Sequence, residues 1–560
     1  MSTSPMPSRA DGVRPGTSPW RALAVLAAGL AMIVLDGTIV GIALPTIIFD
    51  LHLGIAESVW VNSVYSMIFA GLLLSAGWLS DRIGRRLQFL IGVGVFIVGS
   101  VLAGVAADAG LLIASRAVQG VGGALIMPTT VSTINVLFRG RDRAAAFGIW
   151  GAVMSGTAAI GPLLGAALTQ YADWRWVFFV NVPVGLVVLV LGALWIPENR
   201  GVQRVGFDLA GLVLSAGALS LLVFGLIEGT DLGWWRPKDV FVLGPLTWPE
   251  TAAVSPVPVA LGLGLVMLVA FIVVQRNRAR AGRGVILDLG LFALPTFTWG
   301  NVAAAMVAVG EFALVFVMPL FLIFVAGLDV LAAGWVLAAM AIGAFASGAA
   351  ARHLAAALGA ASVVVLGLVL EVVGVAATAL VLTPSTPAAL IAATMAVYGL
   401  GLGLAAAQLT STVMVAVPQA MSGAASAAQS TVRQVGSALG SALAGTTLAI
   451  GLGVMLPVRL AEIPGLPANV PDQVVSATID SVGALIPLLR SGKGYNTLGE
   501  WRLPVGDALA HGFADATVVT LWVAVAFLVL GLLASMLVQR YGRDAHAADV
   551  AAEASGTRQP

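Results

Sequence analysis

Fourteen apolar runs divide this 560-residue chain, and they restrict what it can fold into more than any other feature. They lie near 22–44, 59–79, 87–106, 111–131, 144–168, 175–196, 208–228, 257–275, 297–325, 330–350, 360–382, 387–408, 427–455 and 516–538. A helix needs about 20 apolar residues to cross a bilayer core roughly 30 Å thick. Hydrocarbon offers no hydrogen-bond partner to a backbone, so such runs must be helices. The first is too long for a signal-peptide core and carries Asp36, which reads as an uncleaved spanning helix. Only 10% of residues are charged and 59% are hydrophobic, whereas a soluble domain carries about 25% charged residues. The expected fold is an all-α integral membrane protein.

Charge placement orients the ladder. With the N-terminus inside, the alternate loops and tails hold nineteen of the 28 basic residues, among them Arg82, Arg85, Arg86, Arg139, Arg141 and Arg143. The opposite side holds Arg175, Arg236, Lys238, Arg459, Arg490, Lys493 and Arg502, and four of these lie in one long loop that topology rules discount. Only Arg116 and Arg433 remain inside apolar runs. An odd number of spans would invert half of this bias. Both termini are therefore expected in the cytoplasm. Only two lysines, Lys238 and Lys493, with abundant Ala and Gly, suggest a GC-rich bacterial genome, so the expected location is a bacterial plasma (inner) membrane.

Several function classes drop out. Without cysteine there is no disulfide, iron–sulfur cluster or thiolate metal site, and His52, His353, His511 and His546 lack ligand spacing. No phosphate-binding G-x-x-x-x-G-K-[ST] occurs, and Gly399, Gly401 and Gly403 lie inside an apolar run rather than after a strand. The expectation is no enzyme, cofactor, metal, nucleotide or nucleic acid. The lipid bilayer is the solvent, and any energy-driven function of the chain must draw on an ion gradient, worth about 2.3 kcal/mol per charge per 100 mV.

The loops and spans carry motifs. Residues 77–86 read G-W-L-S-D-R-I-G-R-R between the second and third runs. Gly77 and Gly84 allow close packing and a turn, Asp81 can accept from donors at a helix end, and Arg82, Arg85 and Arg86 anchor the turn at the surface. The fourth run has S-R-A-V-Q-G-V-G-G, which puts Arg116, Gln119, Gly120 and Gly123 on one helical face. The fifth has G-T-A-A-I-G-P-L-L-G, in which Gly156 leads a GxxxG pair, Gly161 and Gly165, beside Pro162. The first has L-D-G-T-I-V-G-I-A-L-P, with Asp36 deep in the apolar stretch. A carboxylate there is costly unless paired, hydrated or protonated.

These strings resemble the major facilitator superfamily, specifically its fourteen-helix drug/proton antiporter branch, and so do W-R-W-V-F-F-V-N-V-P-V-G from Trp174 and S-T-V-R-Q-V-G-S-A-L-G from Ser430. The branch usually has Asn where this chain has Gly41, and the counterpart of 77–86 in the second half, 351–360, has Ala356 in place of Asp81. The resemblance implies two six-helix bundles plus two inserted helices. It also implies proton coupling through Asp36 and Arg116, an inner latch at 77–86, and an antiporter motif in the fifth helix.

Two further carboxylates sit mid-run. Glu311 has Phe312 and Phe316 nearby, and Glu371 is central in its run. A buried carboxylate beside aromatics could hold a cationic amphiphile, or Glu311 could be a second proton site. Gln119, Glu311, Glu371 and Tyr65 are candidate substrate contacts, although Tyr65 and Phe69 suit packing as well.

The expected organisation is a disordered tail over 1–20, a first bundle over 21–196 and a linker with two extra helices over 197–283. A second bundle over 284–540 follows, with an extracytoplasmic loop over 457–515 that includes an amphipathic or solvated stretch at 470–489. A disordered tail covers 541–560. The expected function is proton-coupled export of amphipathic small molecules, drugs above all. The rivals are export of an endogenous lipid, siderophore or antibiotic, and a membrane sensor or scaffold without transport.

Overall fold

The structure, a computed structural model, describes residues 18–138, 140–198, 208–229, 232–243, 246–414, 417, 422–467, 469–491 and 496–554. Long helices follow the apolar runs in order. They are α1 (Pro19–Leu51), α2 (Ile55–Ile83), α3 (Arg85–Gly104), α4 (Ala109–Leu137), α5 (Gly140–Tyr171) and α6 (Asn181–Trp195, entered through the turn Trp176–Phe179). Then come α7 (Leu209–Ile227), α8 (Pro256–Arg280), α9 (Pro295–Leu320), α10 (Val330–Leu358), α11 (Ala360–Val381), α12 (Ala388–Met414), α13 (Ser422–Ala461) and α14 (Arg502–Ala554). Among the described residues, 13 of these are long and apolar enough to cross a membrane. The 32-residue α5 fills the remaining place.

Most helices outrun their apolar stretches, because hydropathy marks only the part that lies in hydrocarbon. With 33 residues, α1 spans about 50 Å at 1.5 Å per residue. Polar residues set the ends. Asp108 accepts from the Leu111 amide at 2.8 Å to start α4, and Asp329 accepts from the Ala332 amide at 2.7 Å to start α10.

Packing repeats. In the first six helices α1 packs on α5 and α6, α4 on α2 and α3, and α3 on α6. In the last six α9 packs on α13 and α14, α12 on α10 and α11, and α11 on α14. The pairings match position for position, so each half is the same six-helix bundle. The bundles meet through α2 with α13, α5 with α10, and α1 with α9. The inserted α7 and α8 pack on each other, and α7 touches both α2 and α13. Trp60 Nε1 donates to Glu228 at 2.8 Å, and Thr446 Oγ1 donates to the Leu226 carbonyl at 2.6 Å. The inserted pair is thereby fastened to both bundles.

The core is continuous on one side only. Call the face that carries the N-terminal end of α1 the terminal face, and the other the distal face. In the distal half, Ile39 to Met67, Leu314 to Leu337 and Ala438 to Leu460 contribute to one shared core. In the terminal half, Leu23, Phe89 and Ile126 form one core and Phe297, Leu409 and Ala534 another. Among the described residues the bundles are therefore sealed distally and separate towards the terminal face.

Gly84 separates α2 from α3 at φ 104°, and Gly359 separates α10 from α11 at φ 83°. Their amides donate to the Ser80 and Ala355 carbonyls at 3.1 and 2.9 Å. Only glycine adopts this backbone without strain. Arg86 donates to the Ala193 carbonyl at 2.6 Å, tying the turn to α6, and Arg85 is half-buried beside it. Gly77 and the side chains of Asp81 and Arg82 lie outside the described residues, and so do the hydrogen bonds expected of Asp81.

Four segments carry more regular structure than the apolar runs alone suggest. Residues 457–515 are largely helical: α13 continues to Ala461, helices Val470–Asp480 and Leu485–Ser491 follow, and a 3-10 turn Asn496–Trp501 leads into α14. Val470, Val474, Leu485 and Leu489 join the shared distal core, so the amphipathic stretch packs on the protein. Residues 229–256 include a small hairpin, Phe241–Leu243 paired antiparallel with Leu246–Trp248. Helix α14 runs to Ala554, so 541–554 continue a helix; their alanines favour it. The helix α1 likewise begins at Pro19, inside the expected tail.

Candidate functional site

The fourth helix builds the site through its small residues. A Cβ at Gly120 would lie 2.8 Å from the Tyr65 carbonyl, and one at Gly123 would lie 2.8 Å from the Phe69 ring. These glycines let α2 approach closely, which brings Arg116 on the same face against the α2 backbone. Its Nε donates to the Val61 carbonyl at 3.1 Å, and its guanidinium stands 4.6 Å from the Tyr65 ring centroid. Gly99 of α3 is equally tight on Gln119 and the Ser115 carbonyl.

Asp36 is the acceptor at the centre. Arg116 Nη1 pairs with Oδ2 and also donates to Gln119 Oε1 at 2.7 Å. Gln119 Nε2 and Asn181 Nδ2 each donate to Asp36 Oδ1 at 2.9 Å. Ser100 Oγ lies 2.9 Å from Gln119 Nε2 and 3.4 Å from Asn181 Nδ2. Helices α4 and α6 thus meet α1 on one carboxylate, and α3 joins them through Ser100. Asp36, Gln119 and Ser100 have no exposed surface, and Arg116 and Asn181 have 1%. Burying an ion pair costs several kcal/mol per ion unless the remaining lone pairs and protons are satisfied. Both Asp36 oxygens are satisfied here. Gln119 and Tyr65 belong to this hub and, being buried, present no open surface to a substrate in this conformation.

Two residues beyond Asp36, α1 meets α5. A Cβ on Gly161 would collide with Thr38, and one on Gly165 would lie 2.6 Å from Ile39 Cγ1. Gly156 has nothing within 4 Å of such a Cβ. The helix passes through Pro162 without interruption, and Ala166 and the Pro162 carbonyl face Gly334 of α10. The motif therefore touches both α1 and the opposite bundle. Gly41, where the branch usually has Asn, lies on the interface as well: a Cβ there would be 3.2 Å from Val315 of α9.

The second bundle carries a different acidic centre. Glu311 of α9 pairs with Arg433 of α13 at 3.3 Å, and the side chains are 17% and 45% exposed. Both side chains are thus partly exposed, whereas Phe316 is buried in the shared core. Glu371 of α11 is fully buried, as is Tyr398 of α12. Among the described residues, neither carboxylate oxygen of Glu371 nor the Tyr398 hydroxyl has a hydrogen-bond partner. Asp36, Arg116, Gln119 and Tyr65 are thus brought together, while Glu311 and Glu371 stand apart from them. Asn181 and Ser100 were not singled out from sequence, although Asn181 lies in the W-R-W-V-F-F-V-N-V-P string. Arg433 was visible as an arginine left inside an apolar run and within the S-T-V-R-Q-V-G string, but with no partner assigned.

Known proteins bear on this arrangement. The chain is 38% identical to a puromycin resistance protein of Streptomyces alboniger over 50% of its length and 55% of the relative. It spans about half the length of that relative and of others it matches. It is 34% identical to the multidrug efflux pump LfrA of Mycolicibacterium smegmatis over 74% of this chain and 77% of that one. It is 30% identical to the multidrug resistance protein Stp of Mycobacterium tuberculosis over 93% and 91%. A solved bacterial homologue of the human lysosomal transporter Spinster superposes with a TM-score of 0.60 at 18% identity, covering 94% of this chain and 98% of the other. That likeness concerns the fold. Residues 26–441 match the family model of the Major Facilitator Superfamily. With repeated six-helix bundles, fourteen long helices and this match across most of its length, the chain belongs to the major facilitator superfamily of membrane transporters.

Proposed function

We propose that this protein exports amphipathic small molecules, cations among them, across a bacterial plasma membrane in exchange for protons. The observation that carries the reading is the buried hub at Asp36. One ionisable carboxylate is matched to one guanidinium with no exposed surface. Adding a proton to Asp36 removes the charge that holds Arg116, and the guanidinium then keeps Gln119 on its own helix and, on α2, the Val61 carbonyl and the Tyr65 ring. Helix α2 is one of those that join the bundles. Protonation is therefore transmitted to the surface on which the bundles rock. The same α1 that bears Asp36 is clamped at Thr38 by the fifth-helix glycines, so the proton site and the interface share one rigid element.

The excess of arginine in the terminal-face loops supports a cytoplasmic terminal face, with both termini there. The sealed distal half then corresponds to an inward-open state. Glu311 and Arg433, both partly exposed, are the proposed contact for a cationic substrate, and 77–86 the inner latch. The names of the drug-resistance and efflux relatives support export as the direction. The test is transport of tetraphenylphosphonium in proteoliposomes under an imposed pH gradient. Gradient-driven movement by the wild type and its marked weakening in Asp36→Asn support the reading. Full proton-driven transport by a well-folded Asp36→Asn protein overturns Asp36 as the coupling site.

A further inference from the structure

The two bundles can be aligned residue by residue through their glycine contacts. A Cβ on Gly122 would lie 2.6 Å from the Phe96 amide nitrogen and 2.8 Å from the Gly92 carbonyl. A Cβ on Gly401 would lie 2.5 Å from the Glu371 amide nitrogen and would press equally on the Gly367 carbonyl. A Cβ on Gly99 would meet the Gln119 amide nitrogen at 2.8 Å, and one on Gly374 the Tyr398 amide nitrogen at 2.5 Å. Gly84, Gly92, Phe96 and Gly99 thus correspond to Gly359, Gly367, Glu371 and Gly374, and Gln119 corresponds to Tyr398. Where the first bundle has a buried phenyl ring, the second has a carboxyl group.

That carboxyl is fully buried and has no hydrogen bond from any described residue. A carboxylate in such a place is far costlier than the neutral acid. Tyr398 is the ionisable group on α12, which packs against α11, and the Glu311–Arg433 ion pair lies in the same bundle. The other helices packed on α11 add none: α10 has no ionisable residue between Asp329 and Arg352, and α14 none between Asp515 and Arg540. Away from its helix ends, the described part of this bundle thus holds two carboxyls, Glu311 and Glu371, and one guanidinium, Arg433, so only one carboxyl can be ionised without leaving an uncompensated charge in the membrane interior.

We propose that Glu371 is a second proton-binding site, neutral in the empty inward-open protein and discharged when a cation enters beside Glu311. The proposal rests on the reading of Glu311 as the cation contact. The balance is simple. Before binding, the Glu311 carboxylate and the Arg433 guanidinium cancel and Glu371 keeps its proton. The arriving cation brings one positive charge. The Glu371 O–H bond breaks, its electron pair stays on the carboxylate, and the proton passes to water on the open side. The site is neutral before and after, so proton for cation is a one-for-one exchange within the second bundle, separate from Asp36.

The test uses purified full-length protein in detergent with tetraphenylphosphonium as the probe, read by cation binding, by a pH indicator and by infrared difference spectroscopy. In the wild type, binding should remove the carbonyl band of a protonated, unbonded carboxylic acid and release protons. In Glu371→Gln the band should be absent and proton release reduced, while the cation still binds. In Asp36→Asn the band should remain. Glu371→Met is the second variant: because the neutral side chain is the resting form, it should insert and fold like the wild type and also lack the band. A band that persists in both Glu371 variants, or unchanged proton release with binding intact, overturns the proposal alone. Failure of the wild type to bind the probe overturns the cation reading of Glu311 and this proposal with it.

Discussion

Gly161 and Gly156 belong to one motif on one helix, yet the structure gives them opposite sensitivities. A Cβ added at Gly161 would lie 2.8 Å from Thr38 Cβ and closer still to Thr38 Oγ1. Rotating Thr38 can move its hydroxyl away, at the expense of bonds to the Val34 and Leu35 carbonyls at 3.2 and 3.0 Å. Rotation cannot move Cβ. To restore an ordinary carbon–carbon separation near 3.5 Å, α1 and α5 must part by more than about half an ångström. Overpacking of this kind costs about 1–3 kcal/mol. If the penalty falls on one conformation of the cycle, the equilibrium between conformations shifts by about 5- to 150-fold. The displacement begins two residues from Asp36, whose oxygens hold three donors at hydrogen-bond length. Gly161→Ala should therefore cut tetraphenylphosphonium export in proteoliposomes by at least about fivefold at normal insertion, and Gly161→Leu should cut it further. At Gly156 nothing lies within 4 Å, so Gly156→Ala should stay within about 0.5 kcal/mol of wild type. Equal losses at both positions, or none at Gly161, would refute the close-packing argument.

Other substitutions probe the two acidic centres. Asn181→Leu removes one donor from Asp36 and leaves a buried oxygen short of a partner. It should lower thermal stability by about 1–3 kcal/mol, and an unchanged melting temperature would show that the amide is dispensable. Arg116→Ala leaves Asp36 as an unpaired buried charge, which costs about 3–5 kcal/mol; the double mutant Arg116→Ala/Asp36→Asn should recover much of that, and strict additivity of the two single effects would separate the residues. Glu311→Gln should reduce export of cations more than of neutral compounds, since the amide keeps the shape without the charge; equal loss for both classes would move Glu311 into proton coupling.

The architecture was legible because lipid leaves the backbone few choices. Each apolar run had to become a helix. Helix ends were less legible, since α13 and α14 extend through polar residues that hydropathy cannot distinguish from loop. The hub was half visible. Asp36 and Arg116 announced themselves as charges inside apolar runs, and the i, i+3, i+4, i+7 spacing correctly placed Gln119, Gly120 and Gly123 beside Arg116. Asn181 and Ser100 did not, because an amide or hydroxyl in a membrane helix is cheap enough to need no explanation. Arg433 was noticed, but its pairing with Glu311 joins positions 122 residues apart, and no local pattern encodes such a contact.

The repeat explains why the second half was the harder to read. Its glycine spacing survives: Gly84, Gly92 and Gly99 have counterparts in Gly359, Gly367 and Gly374, and each makes the same kind of close approach or turn. A backbone packed to van der Waals contact tolerates no Cβ, so these positions cannot drift. The chemistry between them is under no such constraint. Tyr398 stands where Gln119 does, and Glu371 stands where Phe96 does. The same alignment places Met395 opposite Arg116, so the second bundle has no guanidinium at the place where the first pairs its carboxylate. Its arginine comes from α13 instead. One fold thus holds two acidic centres with different exposure: one sealed around a matched ion pair, the other with a partly exposed ion pair and a fully buried, unmatched acid. If both take part in transport, removing either by itself should leave a partial proton dependence, and only the pair Asp36→Asn/Glu371→Gln should uncouple tetraphenylphosphonium movement from the pH gradient altogether. Complete uncoupling by Asp36→Asn alone would confine proton exchange to the first bundle and leave Glu371 a packing residue.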